Sequence, residues 1–255
     1  MKITVLGCGT SSGVPRIGGD WGACNPQDPR NRRTRASVLV QSDTTTVLVD
    51  TGPDMRAQLL GAGVADLDAV LWTHEHADHT HGIDDLRQLF HLRGERVSCY
   101  ARQRCLESLE RRFHYIFHGR GGYPPAASVT VLDDALRIGD LNIRTVDMPH
   151  GGITSAGFRF EHGGMTFGYS TDFHSFTPEM AKVFAGLDVW VVDALRRAPH
   201  PTHANLATTL DAIGRLKPKR AILTHMDQSM DYAALSAELP AGVEPGYDGL
   251  EIVLA

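Results

Sequence analysis

The stretch Val70-Leu71-Trp72-Thr73-His74-Glu75-His76-Ala77-Asp78-His79-Thr80-His81-Gly82-Ile83-Asp84 decides how the rest of the chain is read. Ala69 to Trp72 is an apolar run of strand length. It stops abruptly at a polar segment holding four histidines and an interleaved aspartate. His74 and His76 are two apart, so in an extended segment they point to one side and reach one ion together. Asp78 and His79 are adjacent and diverge unless the backbone turns. A turn there aims them at a second position beside the first. Gly82 suits a tight turn, and Ile83 to Phe90 follows with helical spacing of apolar residues. Desolvating so many imidazoles after a buried strand has no folding benefit unless something compensates them. Imidazole and carboxylate without thiolate suit zinc, manganese, iron or a similar divalent ion.

Outward from this stretch, the 255 residues suffice for one domain with a full core, read here as residues 1–255. A hydrophobic share of 42% with 22% charged residues is that of an ordinary globular chain. No run approaches the roughly 18 apolar residues of a membrane span, and the first strand follows Met1-Lys2 directly, so a cytoplasmic location is expected. Cys8, Cys24, Cys99 and Cys105 lack paired spacing, which argues for reduced thiols. The net charge of -5 argues against extended nucleic-acid binding.

Lys2 to Leu6 reads as a strand, followed by the glycine- and hydroxyl-rich loop Gly7 to Pro15. Its glycine spacing misses the dinucleotide fingerprint and no helix pattern follows, so it reads as a turn letting backbone pack closely under a nearby site. Arg30 to Arg35 is a basic run, either a solvated surface or an anion-facing loop that would bring Arg33 and Arg35 to a substrate phosphate. Ala36–Gln41 and Thr45–Val49 pair as a hairpin. Helices are expected over 55–60, 83–92, 102–113, 178–185 and 206–216. Further strands are expected over 67–72, 97–100, 129–132, 136–138, 141–146, 154–161, 165–170, 189–192, 220–223 and 250–254. Residues 114–127 read as irregular, a flap beside the site or an ordinary loop.

Three distant positions share one description: His150, Asp172 and His225 each follow a buried strand. With the cluster they complete an inventory for two metal ions. His74, His76 and His150 would hold one, and Asp78, His79 and His225 the other. Asp172, with two oxygens, would bridge them. Two such ions share and acidify a water and clamp the oxygens of the group it attacks, which suits hydrolysis.

The segment T-H-E-H-A-D-H at 73–79 resembles the H-x-H-x-D-H motif of the metallo-β-lactamase-fold hydrolases, with His150, Asp172 and His225 in that family's order. The resemblance implies an α/β fold, a four-layer αβ/βα sandwich with the site along one edge. Within the family, G-C-G-T-S-S-G-V-P, H-A-D-H-T-H-G-I-D-D-L-R, P-T-H-A-N-L and G-Y-D-G-L-E-I resemble the cyclic-phosphate phosphodiesterases of phosphonate breakdown by the carbon–phosphorus lyase pathway. There a histidine matching His203 sits over the phosphate as general acid; His200 has no such match and reads as surface. That subgroup also carries a cysteine cluster and an extra histidine resembling a structural zinc site. Here the corresponding region keeps only Cys24, and Met226-Asp227-Gln228 follows His225, so no structural zinc is expected.

The expected protein is thus an enzyme, a phosphodiesterase using two divalent ions (zinc or manganese, with iron also accepted) and a metal-bridging hydroxide. Asp78 and His203 would be catalytic, with Glu75, Asp84 or Asp50 accepting the second N–H of a ligand imidazole. The expected substrate is a small cyclic ribose or nucleotide phosphodiester rather than a nucleic acid, with no membrane partner and a homodimer as the default assembly. The alternatives are a tRNA 3′-processing-type nuclease, or a thioester or lactam hydrolase of the same fold.

Overall fold

The computed structural model describes all 255 residues. Six strands come from the first half: β1 (Lys2–Gly7), β2 (Ser37–Gln41), β3 (Thr46–Val49), β4 (Ala69–Leu71), β5 (Val97–Ala101) and β6 (Ala127–Val131). The second half supplies β7 (Ala135–Ile138), β8 (Leu141–His150), β9 (Ile153–His162), β10 (Met165–Ser170), β11 (Val189–Asp193), β12 (Arg220–Thr224) and β13 (Val243–Pro245). The last strand, β14 (Leu250–Val253), returns to the first sheet and pairs with β1. The helices are α1 (Met55–Gly61), α2 (Ala77–Thr80), α3 (Leu86–Arg93), α4 (Gln103–Arg112), α5 (His114–His118), α6 (Pro178–Val183), α7 (Leu206–Leu216) and α8 (Tyr232–Glu238).

Two seven-stranded sheets result, ordered β14-β1-β2-β3-β4-β5-β6 and β13-β12-β11-β10-β9-β8-β7. Each is antiparallel on one side and parallel on the other, with the change at β3 in the first and at β10 in the second. The inner parallel strands β4 and β11 are buried on both faces and read as continuous apolar runs, as in V-W-V-V of β11. The strand β8 instead alternates buried and exposed residues along its first half. Forty-one buried residues, drawn from both sheets and from α6, α7 and α8, form one cluster that fills the space between the sheets and continues over the second sheet's outer face, as where Phe184 stacks on Trp190. A second cluster of 20, including Leu48, Trp72, Leu86 and Leu109, seals the first sheet's outer face under α1, α3, α4 and α5. This is the four-layer αβ/βα sandwich expected. No helix is long and apolar enough to cross a membrane.

The topology explains the site's position. The strands β3 and β4 are parallel and in register, and so are β10, β11 and β12, so their carboxyl ends open on one edge. Two antiparallel steps separate β8 from β10, so β8 also ends there, at His150. The turn after His76 is a single helical turn, α2. Gly82 has an ordinary φ of -89° rather than the left-handed backbone of many glycine turns. A β-carbon on it would strike the Gly52 carbonyl, and one on Gly52 would strike the Asp78 carbonyl. Both are glycine because the ligand loop and the exit of β3 lie backbone against backbone, joined by Thr51 N–H to His79 O and Gly82 N–H to Thr51 O, each 2.8 Å. The Gly7–Pro15 loop packs similarly: Gly9 N–H donates to Thr34 O and Met226 N–H to Cys8 O, and Ser11 lines the site.

Three elements depart from the sequence reading. Residues 114–118 form α5, whose five residues are too few to display a 3.6-residue period. The helix α8 and the three-residue strand β13 carry no comparable signal, and tertiary packing decides them.

Candidate metal centre

Ligand atoms of His74, His76, His150 and Asp172 lie within 4.8 Å of one another, as do those of Asp78, His79 and His225. The first set is drawn from the β4 exit and the ends of β8 and β10, the second from α2 and the end of β12. Asp172 faces both. Its Oδ2 is 3.6 Å from His74 Nε2 and 3.5 Å from His150 Nε2. Its Oδ1 is 3.4 Å from the Nε2 of both His79 and His225. Asp78 Oδ2 completes the second group, 3.3 Å from His79 Nε2 and 3.6 Å from His225 Nε2.

The rings are oriented from behind. Asp50, buried at the end of β3, accepts the His79 Nδ1–H at 2.7 Å and also the Thr73 N–H and hydroxyl. With its own proton directed to Asp50, the Thr73 oxygen accepts the His74 Nδ1–H at 2.9 Å. The Thr202 carbonyl accepts the His150 Nδ1–H at 2.8 Å. These bonds set the tautomers so that Nε2 lone pairs point inward. His76 differs: it presents Nδ1, 3.3 Å from His150 Nε2. Of the three acids considered for this supporting role, only Asp50 fills it. Glu75 pairs with Arg104, and Asp84 accepts the Tyr115 hydroxyl.

Asp50, Asp172 and His225 have left-handed backbone, with φ of 67°, 57° and 58°. Each such residue costs about 1–3 kcal/mol and recurs where a side chain must be re-aimed. Here the twist turns a strand-end side chain back across the edge.

The electrostatics is that of a cation site. His74 Nε2, His79 Nε2 and both nitrogens of His225 are buried without a hydrogen-bond partner. Burial penalises the Asp172 carboxylate, but His225, His79 and His74 overcome this and hold it well below the usual range. Burial likewise opposes charge on His225, yet Asp172 and Asp78 raise it to about 9. His79 is raised well above its ordinary value by Asp172, Asp78 and Asp50 against the same opposition. Burial, with His79 beside it, drives His74 well down. Unpartnered imidazole nitrogens face carboxylates that otherwise hold protons on His79 and His225, and a divalent ion at each group would take the place of those protons.

His203 lies against this centre. Its ring stacks on His225 with centroids 4.8 Å apart, its Nε2 is 3.9 Å from Asp172 Oδ2, and its Nδ1–H donates to Asp193 Oδ2 at 3.1 Å. Asp193 fits the rule that picks out Asp172, an acid at the end of the apolar strand β11, but its partner His203 is set by the fold. His200 is nearer the site than a surface residue would be, its ring 5.1 Å from that of His203.

The basic run does not reach the cleft. Arg33 is 1% exposed, and its guanidinium donates to the carbonyls of Met230 at 2.6 Å and Asp227 at 3.2 Å. Arg35 chelates Asp54 and donates to the Ser11 carbonyl. Neither lines the metal cleft: acceptors in the interior satisfy Arg33, and Arg35, paired with Asp54, stands behind Ser11, which does line it.

Residues 45–226 match the family profile of the beta-lactamase superfamily domain. The chain belongs to this superfamily. It carries the fold of the superfamily's metal-dependent hydrolases and is related to their PhnP branch. A crystal structure described as a new diphosphatase from the PhnP family is 36% identical, covers 100% of this chain and 98% of its own, and superposes with a TM-score of 0.91. The octanoyltransferase of Porphyromonas gingivalis is 34% identical across 100% of this superfamily member but only 52% of its own length. Ribonuclease Z of Methanopyrus kandleri is 30% identical over 58% of the chain and 50% of itself. The chain therefore spans about half the length of these curated relatives, or less.

Proposed function

We propose that this protein is a metal-dependent phosphodiesterase that uses two divalent ions, zinc or manganese, to hydrolyse a small cyclic ribose or nucleotide phosphodiester. One ion would be held by His74, His76 and His150 and the other by Asp78, His79 and His225, with Asp172 shared. The observation that carries this reading is Asp172 itself, a buried carboxylate with one oxygen directed to each group of imidazoles. Two ions there would supply Lewis acidity to the phosphoryl oxygens and make water a nucleophile at neutral pH.

The chain's own residues supply the rest. Asp78 is open enough to the cleft to orient the attacking water as well as ligate. Asp193 anchors His203 by Nδ1, leaving Nε2 directed into the centre. As water's oxygen bonds to phosphorus, the bond to the leaving oxygen breaks and that oxygen takes the Nε2 proton. The proton lost by water restores the ring. The 36% identity to a PhnP-family diphosphatase supports a phosphoryl substrate, and the ribonuclease Z relatives favour tRNA 3′ ends as the second reading.

The test is a panel of cyclic and linear phosphodiesters, a tRNA precursor, a thioester and a β-lactam, run with elemental analysis. Cyclic diesters are expected to be cleaved fastest. The variant His203→Ala is expected to lose roughly 10²–10⁴ in rate while keeping its metal. Preference for the thioester or lactam, or metal loss in that variant, overturns the assignment.

A further inference from the structure

Ser11 has no part in the chemistry above, yet it lines the metal cleft. Outside the metal donors and His203, the polar side chains of that wall are Ser11 and Thr202, and no lysine or arginine joins them. The Thr202 hydroxyl is already engaged, 3.3 Å from His200 Nδ1. Ser11 is held through its carbonyl, which leaves its hydroxyl and its N–H unpaired within the protein. A free O–H donor in an otherwise committed wall is placed to meet whatever acceptor the substrate brings.

The segment that carries this hydroxyl is fastened on every side. Thr10 to Gly13 is a β-turn closed by Gly13 N–H to Thr10 O at 2.8 Å, with Ser11 and Ser12 at its crest. Its base is clamped: Thr10 N–H donates at 3.2 Å to the carbonyl of Met226, one residue past the ligand His225, and Val14 and Arg33 exchange N–H to O bonds of 2.9 Å. Arg35 supports the crest. Its Nε donates to the Ser11 carbonyl at 3.3 Å while Asp54 holds its Nη1 at 3.0 and 3.1 Å. A β-carbon on Gly52 would strike the Asp78 carbonyl and lie 3.5 Å from Arg35 Cβ, so Arg35 and the ligand Asp78 flank one glycine. Ser11 is therefore tied to the Asp78–His225 side of the centre.

We propose that the Ser11 hydroxyl donates to the substrate's non-bridging phosphoryl oxygen on the Asp78–His225 side, and that Arg35 is a positioning residue acting through Ser11. His203 is committed to the leaving oxygen, so a phosphoryl oxygen finds its free hydroxyl donor in Ser11. A donor held still is worth most on an oxygen that gains charge as water attacks. The Arg35 guanidinium, neutralised by Asp54, influences the substrate by fixing that donor. The proposal rests on the phosphodiester reading and deepens it with one contact to the phosphoryl group.

Ser11→Ala changes an exposed side chain and spares the core. On metal-loaded protein, its kcat/KM for adenosine 2′,3′-cyclic phosphate is expected to fall about tenfold, the usual effect of a lost hydrogen bond to a charged group. The two diastereomers of adenosine 2′,3′-cyclic phosphorothioate locate the contact. Sulfur is a weak acceptor, so the variant should lose about tenfold on one diastereomer and less than about twofold on the other. Arg35→Met is expected to lose less, and the double variant no more than Ser11→Ala alone, because both act through one hydroxyl. Inorganic phosphate, titrated calorimetrically into metal-loaded protein, should bind about tenfold more weakly to Ser11→Ala than to wild type. Unchanged kcat/KM or phosphate affinity in Ser11→Ala, equal losses on the two diastereomers, or additive losses in the double variant would each overturn the proposal. If wild type cleaves no phosphodiester, the hydrolytic reading falls alone, and the phosphate titration still decides the Ser11 contact.

Discussion

Two buried polar clusters meet at the end of β12, and they are opposite in kind. Around His225, imidazole nitrogens and carboxylates converge, and the Asp172 carboxylate accepts from the Thr171 hydroxyl while four of the imidazole nitrogens have no hydrogen-bond partner. A few residues on, the Arg33 guanidinium is enclosed by the carbonyls of Asp227 and Met230, with the Asn31 amide oxygen at 3.4 Å and only Nε unpaired. Asn31 extends this knot, accepting from Tyr232 N–H and donating to Asn25 O and Asp231. Both clusters are largely buried and dense in polar atoms, so burial alone does not distinguish a site from a brace. The difference lies in the balance of donors and acceptors. The Arg33 knot has a permanent cation built in and is nearly complete, whereas the histidine cluster balances its carboxylates only with exchangeable protons on His79 and His225, which a divalent ion would displace.

That contrast is open to attack. The largest effect is expected from Asp172→Ala, which removes the one group shared by both halves of the centre. Turnover should fall to background, and so should the stabilisation by added zinc or manganese, about 2.7 kcal/mol at 100 times Kd in wild type. Elemental analysis and thermal melts with and without chelator measure both. Next is Arg33→Met, which strands two buried carbonyls at about 1–3 kcal/mol each. Chemical denaturation should show a loss of about 3 kcal/mol with the metal-induced shift preserved; disappearance of that shift would mean the two clusters are one. The smallest is Asp50→Asn, which keeps the shape but weakens the anchor of His79. Metal affinity, read by competition with a chelating dye, should drop about 10–100-fold with the unfolding free energy of metal-free protein little changed.

Legibility followed the same division. The donors of the histidine cluster stood out because imidazoles and acids directly after apolar strands are unusual wherever they occur. Asp193 obeys that pattern, yet nothing local to it names His203 as its partner. Arg33 was read with its neighbours as a basic run, since four arginines in six residues look alike in sequence. Only packing turns Arg33 inward to the 227–230 carbonyls and commits Arg35 to Asp54. The short elements α5, α8 and β13 escaped because pieces of three to seven residues hold too few repeats to display a period.

The sequence by itself determined the strand and helix alternation and the chemical identity of the donors, because periodicity and side-chain chemistry are local properties; the sandwich class followed from it only through the family resemblance of the 73–79 motif. Tertiary structure alone decided that the five parallel strand ends and β8 share one edge, that Asp172 turns an oxygen to each group of histidines, and which arginine is interior. These are relations between residues as much as 197 positions apart, fixed by strand register and by left-handed backbone at Asp50, Asp172 and His225.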